Sequence, residues 1–188
     1  MRHKNLDFEV LEAAPGRGRI RINSAAVDRE HDRVFPRGAR IENYMKNPIV
    51  QWGHNYRDPW ATIGRTIGLE IADDHIDAEF ELRPPANEGD PQNVVRLLWE
   101  GGFVNTASVG FNPVGDVVMN EFGGFDFKEW DLMEWSLVPV PANQEALRLA
   151  VRALPQPELP GTEHPALVLP EDALEMLHKI IEDLKRRF

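Results

Sequence analysis

Two short stretches hold the residues most able to do chemistry: Thr106-Ala107-Ser108-Val109-Gly110-Phe111 and, about fifty positions earlier, Gln51-Trp52-Gly53-His54-Asn55. Period-2 alternation in the first places Ala107, Val109 and Phe111 on one face of a strand. Thr106, Ser108 and Gly110 share the other, so a small hydroxyl stands beside a residue without a side chain. A nucleophilic serine needs that setting, because a peptide must come within about 3 Å of the hydroxyl oxygen for attack. His54 could take the hydroxyl proton as general base. The plainer alternatives are a solvated strand serine and a hydrogen-bonded core histidine, since alternation puts His54 on one face with Val50 and Trp52.

Metal chemistry fits the pattern less well. His54 and Asp58 are four apart, and His31 stands near Asp28 and Asp32. Pro59 and the Asn55-Tyr56 loop speak against a helix over 54–58, so the i,i+4 ligand geometry fails. A His-Glu-x-x-His run is absent from the sequence. The absence of cysteine excludes disulfides, thiolate metal sites and a cysteine nucleophile. Neither a metal nor a cofactor is expected.

The elements that must position these groups read as mainly β. Residues 17–27, 49–54, 63–71, 75–82, 104–111, 113–119, 125–129 and 132–140 have strand signatures, with turns at Asp73-Asp74 and Gly123-Gly124. Pro36–Lys46 suggests a short helix ended by Asn47-Pro48. Asp90-Pro91 starts another, with Val94, Val95 and Leu98 inward and a stop at Gly101-Gly102. A third is expected after Asn143, with Leu147, Ala150, Val151 and Leu154 at helical spacing. Seven or eight strands with short helices are best buried as a closed antiparallel β-barrel with the helices outside, an α+β fold of mainly β character.

Beyond this domain, assigned to residues 1–154, lies an extended linker over 155–170 containing Pro155, Pro157, Pro160, Pro165 and Pro170. A C-terminal amphipathic helix is expected over 171–188. Leu174, Leu177, Ile181, Leu184 and Phe188 form its two-heptad seam, too short to be stable alone in water. The seam should therefore dock on its own domain or on another chain.

The 188 residues carry a formal net charge of −10, unevenly placed: residues 66–150 hold 4 Lys+Arg against 16 Asp+Glu. That imbalance argues against extensive phosphate contacts, so no nucleic-acid partner is expected. The acidic segment reads as a solvated surface or as a groove attracting a basic partner. No apolar run approaches membrane-spanning length, and the polar N-terminal residues lack the apolar core of a signal peptide.

Three blocks give the chain a relative. They are Ala26-Val27-Asp28-Arg29-Glu30-His31-Asp32-Arg33-Val34-Phe35-Pro36-Arg37-Gly38-Ala39; Asn47-Pro48-Ile49-Val50 through Gly53-His54 to Ile63-Gly64-Arg65; and Ser108-Val109-Gly110-Phe111 joined to Glu134-Trp135-Ser136-Leu137-Val138-Pro139-Val140-Pro141-Ala142-Asn143. In order and spacing they resemble the prohead (procapsid maturation) serine proteases of tailed phages, over about residues 15–150. The resemblance implies a self-processing serine endopeptidase, related in fold to the herpesvirus assembly proteases, with Ser108 as nucleophile and His54 as base. It implies a capsid or scaffold protein as substrate, a homo-oligomer, and a place inside the immature capsid in the host bacterial cytoplasm. The rival reading is a noncatalytic capsid-assembly module that keeps the fold and binds scaffold.

An imidazole base also needs a group that fixes its tautomer and stabilises its cation. Glu134 falls in the third block, and a carboxylate between Met133 and Trp135 is costly to bury unless paired. His54 is its natural partner, with Asp131 and His75 as competitors for the role. Arg65 and the backbone amides near Ser108 are candidate oxyanion donors.

Overall fold

The computed structural model describes residues 15–149. Its strands are β1 (Arg17–Ser24), β2 (Arg33–Val34), β3 (Ala39–Arg40), β4 (Ile49–Trp52), β5 (Thr62–Ile71), β6 (His75–Leu82), β7 (Ala107–Pro113), β8 (Val117–Met119), β9 (Phe125–Phe127) and β10 (Trp130–Leu137). Among the described residues there is one α-helix, α1 (Gln92–Glu100).

Seven strands make one curled sheet in the order β1-β6-β5-β4-β10-β3, with β7 along the other edge of β10. Strands β2, β9 and β8 form a small second sheet. The expectation of a closed antiparallel barrel is corrected in two respects. The large sheet is mixed, because β10 runs parallel to β4 and β3 and antiparallel to β7. It is also open: β1 and β7 do not pair, and among the described residues the space between them is crossed by isolated bridges, Ile20 to Arg148 and Thr106 to Leu147.

Those bridges correct a second expectation. Residues 143–149 are not helical; a turn at 143–145 is followed by residues that run between two sheet edges, where Arg21 N–H donates to Leu147 O at 3.0 Å and Ala107 N–H to Ala146 O at 3.0 Å. Helical spacing of leucines lost to the unpaired edge groups of β1 and β7, which need partners. Residues 150–154, the linker and the final helix lie outside the described residues. Likewise 36–46 is not one helix but two single 3-10 turns, Pro36–Gly38 and Tyr44–Lys46, flanking β3.

Helix α1 forms where Asp90 predicts it, with the Asp90 carboxylate accepting Gln92 N–H at 2.9 Å. It ends at Gly101, and Gly102 takes a left-handed φ of 72°. Its inner stripe is Gln92, Val95 and Trp99, and Val94, expected inward, is 57% exposed. Val94 sits about 100° around the helix from Val95, off that stripe.

The core lies in the concave side of the sheet. Phe80 is packed edge-on against both Trp99 and Trp135, at centroid distances of 4.9 and 5.2 Å. Pairs of this geometry contribute about 0.5–1.5 kcal/mol each beyond area burial. Trp135 is fully buried, and its indole N–H donates to Thr66 Oγ1 at 2.8 Å. Its ring therefore anchors the core side of β10 at the level where the opposite side carries Glu134 and Ser136.

Candidate active site

Strand β7 adopts the expected alternation. Ala107, Val109 and Phe111 pair with Leu137, Trp135 and Leu132 and belong to the core side. Ser108 and Gly110 stand opposite Ser136 and Glu134 on the other face. A bulge makes this possible, because the register shifts between Leu132 and Glu134 and leaves Met133 as the extra residue, 49% exposed. Before the bulge the even-numbered Trp130 and Leu132 face the core; after it the odd-numbered Trp135 and Leu137 do. One inserted residue thus moves Glu134 from the core face to the Ser108 face.

His54 reaches the same place by a turn rather than by alternation. Strand β4 ends at Trp52, after which Gly53 and His54 both take left-handed backbone, with φ of 63° and 56°. Among described residues only His31 and His54 are non-glycine residues with positive φ. Such backbone is unfavourable for a side chain bearing Cβ and persists only where the surroundings fix it. The expected facing of His54 with Val50 and Trp52 is therefore corrected. Its Nδ1 lies 2.6 Å from Glu134 Oε1.

Glu134 is 2% exposed, and its hydrogen bonds come from His54, Tyr56 and Ser136 rather than from a Lys or Arg. Its charge is met instead by Nδ1 of His54, by the Tyr56 hydroxyl donating to Oε1 at 3.2 Å, and by the Ser136 hydroxyl donating to Oε2 at 2.8 Å. An ionised carboxylate only accepts, so Nδ1 carries the proton and a neutral imidazole presents Nε2 as its basic nitrogen. Burial first, and then the charge of Glu134, push the Tyr56 hydroxyl above its ordinary pKa and keep it a donor. Gly110 makes room for the group: a Cβ there would press into Glu134 Oε1 and stand 2.7 Å from the Tyr56 hydroxyl.

Ser108 is half-buried on β7. On its other side the cleft between β1 and β7 opens into a pocket lined by Ile22, Ala26, Val34, Phe111 and Ala142 as well as Ser108. The walls of that pocket are tied together by polar groups. Asn143 accepts from the Ser24 hydroxyl at 3.1 Å and donates to Ser24 O at 3.0 Å. Asp28 accepts from the N–H groups of Glu30 and Asp32 at 2.8 and 2.9 Å. The charged run 28–32 is thus a side-chain-capped turn.

With serine, imidazole and buried carboxylate on one face, the chain can be compared with known proteins. A model of the family described as Caudovirus prohead serine protease matches residues 23–155. The chain belongs to that family. The prohead protease of Escherichia phage T5 is 33% identical over 150 residues, covering 76% of this chain and 66% of that protein. The capsid polyprotein of Pseudomonas phage PAJU2 is 27% identical over 135 residues, 70% of this chain and 19% of that one. The chain thus spans just under two thirds of the first relative's length and about a fifth of the second's. No solved structure gives a significant match.

Within this prohead-protease frame, the competitors for the third role are placed elsewhere. His75 opens β6, separated from β10 by β5 and β4, and there its Nδ1 lies 2.7 Å from Asp74 Oδ1 and its Nε2 3.7 Å from Asp77 Oδ2. Asp131 precedes the Met133 bulge, opposite Asn112 and Arg40. Arg65 is exposed and paired with Glu81. Asp58 accepts from Trp60 N–H at 2.9 Å in a tight turn. No cluster of three or more His, Asp or Glu suited to a metal ion occurs among the described residues, and no helix there is long and apolar enough to cross a membrane.

The sequence reading missed Tyr56 and the role of Ser136. Tyr56 follows His54 by two residues, and Ser136 follows Glu134 by two, so each shares a local turn or strand face with a residue already suspected. That spacing was the available signal.

Proposed function

We propose that this chain is the serine endopeptidase of phage head maturation, with Ser108 as nucleophile, His54 as general base and Glu134 as the group that orients and charges-balances the imidazole. The observation carrying this reading is the 2.6 Å contact between His54 and the buried Glu134 on the strand face that Ser108 shares. Ser108 Oγ attacks the scissile carbonyl carbon while its proton passes to His54 Nε2. The imidazolium, stabilised by Glu134, then protonates the leaving amine as the C–N bond breaks. A water deprotonated by the same imidazole hydrolyses the acyl-serine and restores Ser108.

Ser136 is the serine bonded to this pair, but it is fully buried and its hydroxyl already donates to Glu134 and accepts from His54 N–H. It has no path to a substrate carbonyl. The half-buried Ser108 beside an open cleft does.

The relative named a capsid polyprotein supports a capsid-type protein, or its scaffolding segment, as substrate, together with the protease itself. Confinement within an immature capsid raises effective concentration and allows weak substrate affinity. Kinship in fold with the herpesvirus assembly proteases belongs to the same proposal, supported by a curled, mainly β sheet that carries the serine and histidine. The test is co-expression with the cognate capsid precursor, read by mass on a gel. The unsubstituted chain should shorten the precursor, and Ser108→Ala should leave it at full length. Equal processing by both would overturn the serine mechanism.

A further inference from the structure

Ser136 occupies an unusual position for a fully buried serine. Its hydroxyl proton goes to Glu134 Oε2 at 2.8 Å, and its oxygen receives the backbone N–H of His54 at 3.0 Å. Both ends of the histidine–carboxylate pair are therefore fastened to one oxygen. The orientation is forced. An ionised carboxylate cannot donate, so the hydroxyl must point its proton at Glu134, and its lone pair is then left for the amide.

We infer that Ser136 is a positioning residue for the proposed reaction, acting through His54 and Glu134 rather than on substrate. This inference rests on the catalytic reading above. Two features require such a strap. His54 sits at φ 56°, a conformation that a non-glycine residue leaves unless something holds it. Glu134 has two oxygens, and the imidazole must find the same one in each cycle. With Oε2 occupied by Ser136, Oε1 is presented to Nδ1, where Tyr56 supplies a further donor. Strand register adds to the argument: Ser136 stands directly opposite Ser108, so one cross-strand pair couples the height of the nucleophile to that of the base's backbone. Directly opposite Cβ atoms are about 5 Å apart, which leaves little freedom between the two.

Losing the hydroxyl frees the His54 amide and one carboxylate oxygen together. The imidazole then samples positions displaced from Ser108, and displacement of about 1 Å is enough to cost up to about 100-fold in rate.

The test uses the full chain and an alkyl fluorophosphonate, a small probe that reports on Ser108 without any need for the natural substrate. Its limiting rate of Ser108 modification and its half-saturating concentration are measured for the unsubstituted chain, Ser136→Ala and Ser136→Thr. Proton NMR of the same samples follows the downfield imidazole N–H of His54, identified by its loss in His54→Ala.

Ser136→Ala should lower the limiting rate by about 10- to 100-fold with little change in half-saturation, and should broaden or lose the downfield resonance while the thermal melt remains cooperative. Ser136→Thr, which keeps the hydroxyl, should retain the resonance and most of the rate. If Ser136→Ala does not fold, Ser136→Cys, with its weaker donor, takes its place with the same readouts. A limiting rate and resonance unchanged in the alanine variant would overturn the proposal. So would equal rate losses in the alanine and threonine variants with the resonance intact in both, because that pattern is general loss of packing. Failure of the unsubstituted chain to react at Ser108 overturns the enzymatic reading instead. The resonance still reports in that case whether Ser136 holds the pair.

Discussion

Asp90 and Glu134 are the two most deeply buried carboxylates among the described residues, and they are stabilised in opposite ways. Asp90, 3% exposed, takes both guanidinium nitrogens of Arg83 at 2.7 and 2.8 Å and the N–H groups of Ala86 and Gln92 at 2.7 and 2.9 Å. The Arg83 guanidinium, with those backbone donors, holds its carboxyl far below the usual carboxylate range. Glu134, 2% exposed, has an imidazole, a phenol and an alcohol. A permanent cation closes the first site and makes it structural. The second has no permanent cation beside it; its partners are the imidazole Nδ1 and two hydroxyls. That difference separates a structural carboxylate from one suited to the orienting role proposed for Glu134.

The comparison breaks most completely at His54. His54→Ala should abolish fluorophosphonate labelling of Ser108 while the melting temperature changes little, and adding Ser108→Ala should cost no further proteolysis, because residues acting as a unit are not additive. An additive double variant would make His54 structural. Glu134→Gln comes next. The amide keeps the shape but no longer supports the imidazolium, and activity should fall by up to about 10⁴-fold while exceeding that of Ser108→Ala. Full activity in Glu134→Gln alongside a dead His75→Ala would move the third role to His75.

Gly110→Ala should cost about 10- to 100-fold, because its methyl displaces the Glu134 carboxylate and the Tyr56 hydroxyl without removing either. The kinetic check is a fall in limiting rate at unchanged half-saturation. Tyr56→Phe, which removes one of several donors, should cost about 2- to 10-fold.

Asp90→Asn sharpens the contrast from the other side, with the smallest expected effect on activity and a clear one on stability. The folded-state pKa of Asp90 is depressed, so its contribution is present above the unfolded carboxylate value near 4 and is lost as pH falls. Thermal melts from pH 7 downward should show a lower melting temperature for Asp90→Asn at neutral pH and a gap that narrows below about pH 4. A gap independent of pH would mean that the amide loses packing rather than charge.

Much of the scaffold was legible. Strand β6 matches its expected bounds, His75–Leu82, and the alternation of β7 is as read, since one buried face leaves a period-2 imprint. Asp90-Pro91 and Gly101-Gly102 bounded α1 because caps are local chemistry. The errors came where local and long-range demands diverged. Leucine spacing after Asn143 suggested a helix, yet Leu147 and Arg148 are bound to strands far away in sequence. The closed barrel was the simplest burial for that many strands, but the turn capped by Asp28 and the segment tied by Asn143 line an open cleft beside Ser108.

Residue identities by themselves determined which chemistry was available: a serine beside glycine, a histidine, a carboxylate among apolar neighbours, and no thiol. They also determined the family, through three ordered blocks. Only the tertiary structure decided that His54 meets Glu134 and that Ser108 shares the strand face of Glu134. The Met133 bulge chose the face of Glu134, left-handed backbone at Gly53 and His54 brought the imidazole to its carboxylate, and pairing of β10 with both β4 and β7 set Ser136 between His54 and Ser108. The first two are changes of phase or hand over one or two residues, which local composition scarcely alters, and the third is a long-range pairing. Their energy resides in contacts between residues about 25 to 80 positions apart, where periodicity along the chain carries no information.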